Sequence, residues 1–149
     1  MYGIALTLHL LGTVVWVGGM FFAHMALRPT AEALFEPPQR LPLMYGVLTR
    51  FFRWVWLAVI AILLSGYWIF FGVYAGHTAL YVHVMQAIGW LMAALFAYIY
   101  FVPYRRMGRA LDAGELPGAG ASLRVIRRII LVNLTLGMLA VVLGAGRPF

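Results

Sequence analysis

The chain has 149 residues, of which 64% are hydrophobic and only 10% charged. Soluble domains hold about 45–50% apolar residues; a chain this apolar lacks the polar exterior that water demands, so its solvent is lipid and its fold class is an all-α integral membrane four-helix bundle. All eleven basic residues are arginine, against four acids, and cysteine is absent, which excludes disulfides, thiolate metal sites and iron–sulfur clusters, while the placement of the arginines beside apolar runs speaks for membrane topology and not for nucleic acid.

The first apolar run, residues 2–27, is long enough to cross a bilayer and stops at Arg28-Pro29. It has no basic leader and no small-residue cleavage site after a short core, so it reads as a retained helix. The second span covers residues 54–74, after an amphipathic approach from Leu43 to Arg53 whose Arg50 and Arg53 can snorkel to the interface. The third covers 79–102 and ends at Pro103 and Arg105-Arg106. The fourth covers 129–145, after a Gly/Ala-rich loop from Ala113 to Ala121 and a short basic segment. No linker divides the chain, so residues 1–149 form a single transmembrane domain.

Arginines crowd the connection between the first two spans (Arg28, Arg40, Arg50, Arg53) and that between the last two (Arg105, Arg106, Arg109, Arg124, Arg127, Arg128); the short Gly76-His77 turn has none. The positive-inside rule then puts both arginine-rich connections in the cytoplasm and both termini outside it, in a multi-pass protein of a bacterial-type inner (plasma) membrane. Arg28, Arg124 and Arg127 either hold an anionic group or anchor their helices at lipid headgroups.

Four histidines occur, at positions 9, 24, 77 and 83. His9 and His83 both fall roughly 6–10 Å below the outer surface, on spans that run in the same direction. Each is followed seven residues later by tryptophan, Trp16 and Trp90, two turns on and therefore on the same face. The His9 face continues through Gly12, Thr13, Trp16, Met20, Ala23 and His24, and the His83 face through Gln86, Ala87, Trp90, Ala94 and Ala97. Both mix small and polar residues, as bundle-facing stripes do. Asn133, Gly137, Ala140 and Gly144 form a similar stripe in the fourth span, and Ser65 and Gly66 in the second.

Three readings of the His9–His83 pair follow. Two neutral imidazoles from different helices can be both axial ligands of a haem b, with Trp16, Trp90 and Met20 as walls. Alternatively, His9 and His83 with Met20 or Met85 suit Cu(I), which takes imidazole and thioether ligands. In the third, the histidines are interior hydrogen-bonding groups without a metal, His83 to Ser65 or His9 to Gln86. His24, one turn from Arg28, reads as interfacial, or as a ligand of a second haem with Met25 or Met44; His77 reads as solvated. The eight methionines are scattered, unlike the short MxxM clusters of a copper path.

The stretch Leu8-His9-Leu10-Leu11-Gly12 through Trp16-Val17-Gly18-Gly19-Met20 to Leu27-Arg28-Pro29 resembles the first helix of small proteins of the copper-resistance D (CopD) superfamily. His83-Val84-Met85 through Gly89, Phe101-Val102-Pro103-Tyr104-Arg105-Arg106 and Asn133-Leu134-Thr135-Leu136-Gly137 resemble its later helices. That resemblance, and a more distant one to HemJ-type haem proteins, implies a bundle with candidate ligand histidines on its first and third spans, matching His9 and His83. The chain departs from the HemJ pattern in having no lysine and no basic glycine-rich run closing the third span.

The expectation is therefore a haem b protein acting in electron transfer, with an oxidoreductase role left open. A copper-binding or copper-transport protein of CopD type and a structural subunit of a larger complex are the alternatives. The expected partners are the lipid bilayer, a redox partner or quinone, and a second copy of the chain.

Overall fold

A computed structural model describes residues 1–148. Among them, four helical rods are long and apolar enough to cross a membrane: Tyr2–Leu34, Pro37–Gly72, Leu80–Asp112 and Leu116–Gly146. The first comprises α1 (Tyr2–Phe22), a π-helical turn (Ala23–Leu27) and α2 (Arg28–Leu34); the second is α3 (Pro37–Gly72); the third is α4 (Leu80–Phe101) and α5 (Pro103–Asp112); the last is α6 (Leu116–Gly146). No strand occurs among the described residues.

The rods outrun the bilayer. At 1.5 Å per residue the 36 residues of α3 reach roughly 54 Å, against a hydrocarbon core of about 30 Å. The excess lies at one end. Antiparallel tracing puts the N-terminus, the 73–79 turn and residues 147–148 at one end of the bundle, called here the terminal end. The 35–36 and 113–115 connections lie at the other, and the half of the bundle towards that end carries every arginine but Arg147.

Helical continuity at this arginine end departs from the sequence expectation at two places. The first rod does not stop at Arg28-Pro29. Pro29 cannot donate to the preceding turn, and the chain absorbs this with the π-turn at Ala23–Leu27 and resumes as α2 with proline in its first turn. The expected loop Ala113–Ala121 is likewise largely helical. α6 begins at Leu116 with Pro117 in its first turn, and its glycines are tolerated because Ala119, Ser122 and Leu123 pack inward. At Val102 the third rod does break, since a residue before proline is pushed out of the α region; Val102 has φ −116° and ψ −82°. Beyond the break α5 is amphipathic: Tyr104, Met107 and Gly108 are buried, and Arg105, Arg106 and Arg109 are exposed.

Between helices in lipid the hydrophobic effect is weak, and close van der Waals approach takes its place. α1 packs along α3, and α4 and α5 pack along α6, which also touches α1 and α3. Glycines permit the tightest of these approaches. A Cβ on Gly12 would meet Ile62 Cγ1 at 2.8 Å and the Ala58 carbonyl oxygen at 3.1 Å; one on Gly137 would meet Val17 Cγ2 at 2.8 Å and Met92 Cε at 3.2 Å. Large rings instead fill the space between α3 and α4. Phe96 lies 6.2, 5.3 and 4.9 Å, centroid to centroid, from Trp16, Phe52 and Trp56. Towards the arginine end Tyr45 stacks on Tyr104 at 5.0 Å, and the Tyr104 hydroxyl bonds Thr49 Oγ1 at 2.7 Å. Tyr104 is thus buried in the core.

Most threonine hydroxyls within the rods are satisfied locally. Thr7, Thr13 and Thr135 each donate to the carbonyl four residues back, Gly3, His9 and Leu131 respectively, whereas Ser122 Oγ and Asn133 Oδ1 on α6 are buried without a partner.

Candidate functional site

His9 sits two turns into α1, turned towards α3. The stripe expected to face inward does so: Gly12, Trp16 and Met20 are buried, and His9, Thr13, Ala23 and His24 are partly buried. The imidazole fits there because α3 presents Gly66 and Ser65. A Cβ on Gly66 would stand 3.2 Å from His9 Cε1 and 3.5 Å from Nδ1, so the ring lies flush against a residue with no side chain.

The hydrogen bonds of His9 fix its tautomer. Nδ1 lies 3.1 Å from the Ile62 carbonyl oxygen and 3.2 Å from Ser65 Oγ, and Ser65 Oγ itself donates to the Ala61 carbonyl. A carbonyl only accepts, so the proton is on Nδ1. The neutral ring then carries its free lone pair on Nε2. That is the arrangement of a metal-ligating histidine, whose other nitrogen is held by a backbone carbonyl or carboxylate. Beside Ser65 a groove of about 290 Å³ runs between α1 and α3, walled by Ile4, Leu8, Leu64 and Trp68 and by the thioether-bearing Met1.

His83 occupies a different setting. It is exposed, its Nε2 is 3.4 Å from Thr78 Oγ1, and its ring packs edge-on against Phe70 at 5.6 Å. The buried stripe of α4 is Ile88, Met92, Phe96 and Ile99, not the stripe through His83, Gln86, Ala87, Trp90, Ala94 and Ala97. Trp16 is 4% exposed and Trp90 52%, the latter donating from Nε1 to the Tyr67 hydroxyl at 2.7 Å. The expected inward face of the third span is therefore the outward one. Bulky apolar residues take the inward positions because the gap between α3 and α4 is filled by rings.

The shared depth and the facing geometry expected of the two histidines fail together. On α3, Gly66 marks the level of His9 and Phe70 that of His83; four residues separate the two levels by roughly 6 Å. α1 and α4 lie diagonally and meet through the rings of Trp16 and Phe96. A haem with two axial histidines needs both imidazoles to bracket one space, and this pair does not. Ser65, expected as a partner of His83, is instead the partner of His9.

No three His, Cys, Asp or Glu side chains gather into a metal cluster among the described residues. Met20 is 2% exposed, deep in the core and about three turns from His9; Met85 lies against Gly144, on the α6 side of α4, with its Sδ 3.6 Å from where a Cβ there would be. His77 is exposed in the turn after Gly76. His24 lies in a cleft with four arginines; Arg28, Arg124 and Arg127, singled out in the sequence, are joined there by Arg128 and by His24, whose part in the group the sequence did not indicate. The signal available was the spacing of Arg124, Arg127 and Arg128, on one face once Leu116–Gly146 is read as one helix.

Residues 45–147, from within α3 to the end of the last rod, match the family model of copper resistance protein D, CopD. The match includes His83 and stops short of His9. No curated protein and no solved structure matches the chain.

Proposed function

Because the chain belongs to the copper resistance protein D family, we propose that this multi-pass membrane protein binds copper inside the bilayer, with His9 as a ligand and the arginine-rich end in the cytoplasm. The observation that carries the assignment to His9 is its hydrogen bond to the Ile62 carbonyl, which leaves Nε2 as a lone pair within the α1–α3 seam. Imidazole is a fitting donor for Cu(I). The chain's contribution is to hold the imidazole in one tautomer, against Gly66, and to keep it away from bulk water. The same lone pair would suit the iron of a haem, so the test separates the two.

Protein purified in mild detergent from cells grown with added copper is analysed for metal and, after acid extraction, for porphyrin. Near-stoichiometric copper without porphyrin, lost in His9→Ala and kept in His83→Ala, is the expected result. A reduced-minus-oxidised spectrum with sharp α and β bands would replace copper by haem b. Copper retained equally in wild type and His9→Ala would overturn the ligand assignment. For the orientation, a reporter active only in the cytoplasm and fused to the C-terminus should stay silent.

A further inference from the structure

At the arginine end, far from His9, α6 brings Arg124, Arg127, Arg128 and Leu131 to one face at helical spacing, and the first rod brings His24 and Arg28 to meet them. Together they line a cleft of about 230 Å³. The charges in it are unbalanced. Glu32 is the carboxylate that answers them, and a single oxygen, Oε1, accepts from both Arg28 Nε at 3.2 Å and Arg127 Nη1 at 2.6 Å. Among the described residues, no carboxylate reaches Arg124 or Arg128 within the 4.0 Å of an ion pair. Arginines that merely anchor a helix splay outward, as Arg105 does, its guanidinium 5.0 Å from the centroid of the Phe101 ring. Those of the cleft converge on a common space from two rods.

We propose that this cleft is a binding site for a phosphate group, occupied by the headgroup of an anionic phospholipid. Guanidinium pairs bind phosphate oxygens in a fixed two-pronged geometry, and His24 adds a ring N–H donor. The depth of the cleft selects the lipid over a soluble anion. Leu131 closes it on the side towards the membrane interior and is itself 46% exposed, so a ligand's apolar portion continues along the surface of α6 where acyl chains lie. Along α6 the cleft falls where the arginines give way to Leu131 and the apolar residues after it, the level at which headgroups meet acyl chains in a helix that crosses the bilayer.

The test is binding of phosphatidylglycerol and of phosphatidylcholine to the purified full chain in mild detergent, counted by native mass spectrometry. Wild type is expected to hold one phosphatidylglycerol at least about tenfold more tightly than phosphatidylcholine. Arg124→Gln with Arg128→Gln should abolish that preference. Arg106→Gln with Arg109→Gln, an equal change of charge on α5, should leave it within about twofold. Equal binding of the two lipids by wild type, or equal losses in the two double variants, would overturn the proposal, since either means that charge anywhere on this end suffices. Inorganic phosphate is the second arm. Displacement of the lipid's headgroup by millimolar phosphate supports the phosphate chemistry but overturns the lipid as the occupant. Retention of the lipid assigns the site to the headgroup with its chains.

Discussion

His9 and His83 begin from the same local sequence, a histidine followed seven residues later by tryptophan, and end in opposite settings. In α1 the His–Trp stripe, with Gly12 pressed against Ile62 and the Ala58 carbonyl, is the one on which α3 closes, and the imidazole is gripped by Ile62, Ser65 and Gly66. In α4 the stripe rotated away from His83 carries Ile88, Met92, Phe96 and Ile99, which meet the rings of α3 and the face of α6, and His83 is left outside. Spacing along a helix states which residues share a face; which face turns inward is decided by the neighbour that has to be met.

The largest effect that would break this contrast comes from the glycines. Gly12→Leu should destabilise the bundle by about 3 kcal/mol, because its Cβ would already meet Ile62 and the Ala58 carbonyl. Gly89→Ala, with nothing within 4 Å of the added Cβ, should be neutral or better. Thermal unfolding in detergent measures both, and equal effects would mean that α1 does not close on α3 as described.

Next come the histidines. Copper affinity should fall by about tenfold or more in His9→Ala and by less than about twofold in His83→Ala, by competition with a Cu(I) chelator. Gly66→Ala sharpens the point without touching a ligand. Its methyl group would press on His9 at 3.2 Å, and a loss of several-fold is expected where a freely placed histidine would give none. The smallest effect belongs to the outer face. Trp90→Phe removes the bond to Tyr67 and should cost about 0.6 kcal/mol, the average for a hydrogen bond between membrane helices, read from the same melts.

Much of the fold was legible in the sequence. Four apolar runs of spanning length, with Gly12, Ser65, Asn133 and Gly137 marking inward stripes, are the four rods and their buried positions. Two things were hidden for physical reasons. Arginine and glycine beyond a span read as loop, yet Leu116 to Arg128 is helical because α5 packs beside it and supplies what propensity does not. The pairing of rods was the other. A diagonal placement of α1 and α4 leaves no trace in either helix alone, so the partners of His9 could be found only once Ile62 and Ser65 were seen against it. The tautomer, on which the functional reading rests, follows from a backbone carbonyl, which every sequence contains and none displays.

The π-turn at Ala23–Leu27 has a consequence for how the two ends of the first rod are related. A helix advances about 100° per residue, so the one extra residue taken up by a π-turn acts as a phase shifter. Without it, α2 would leave Phe22 rotated by about that angle, and Glu32 would point away from Arg127. The seam that grips His9 and the ion pair that joins the first rod to the last thus lie on opposite sides of the turn, whose single added residue fixes the angle between them.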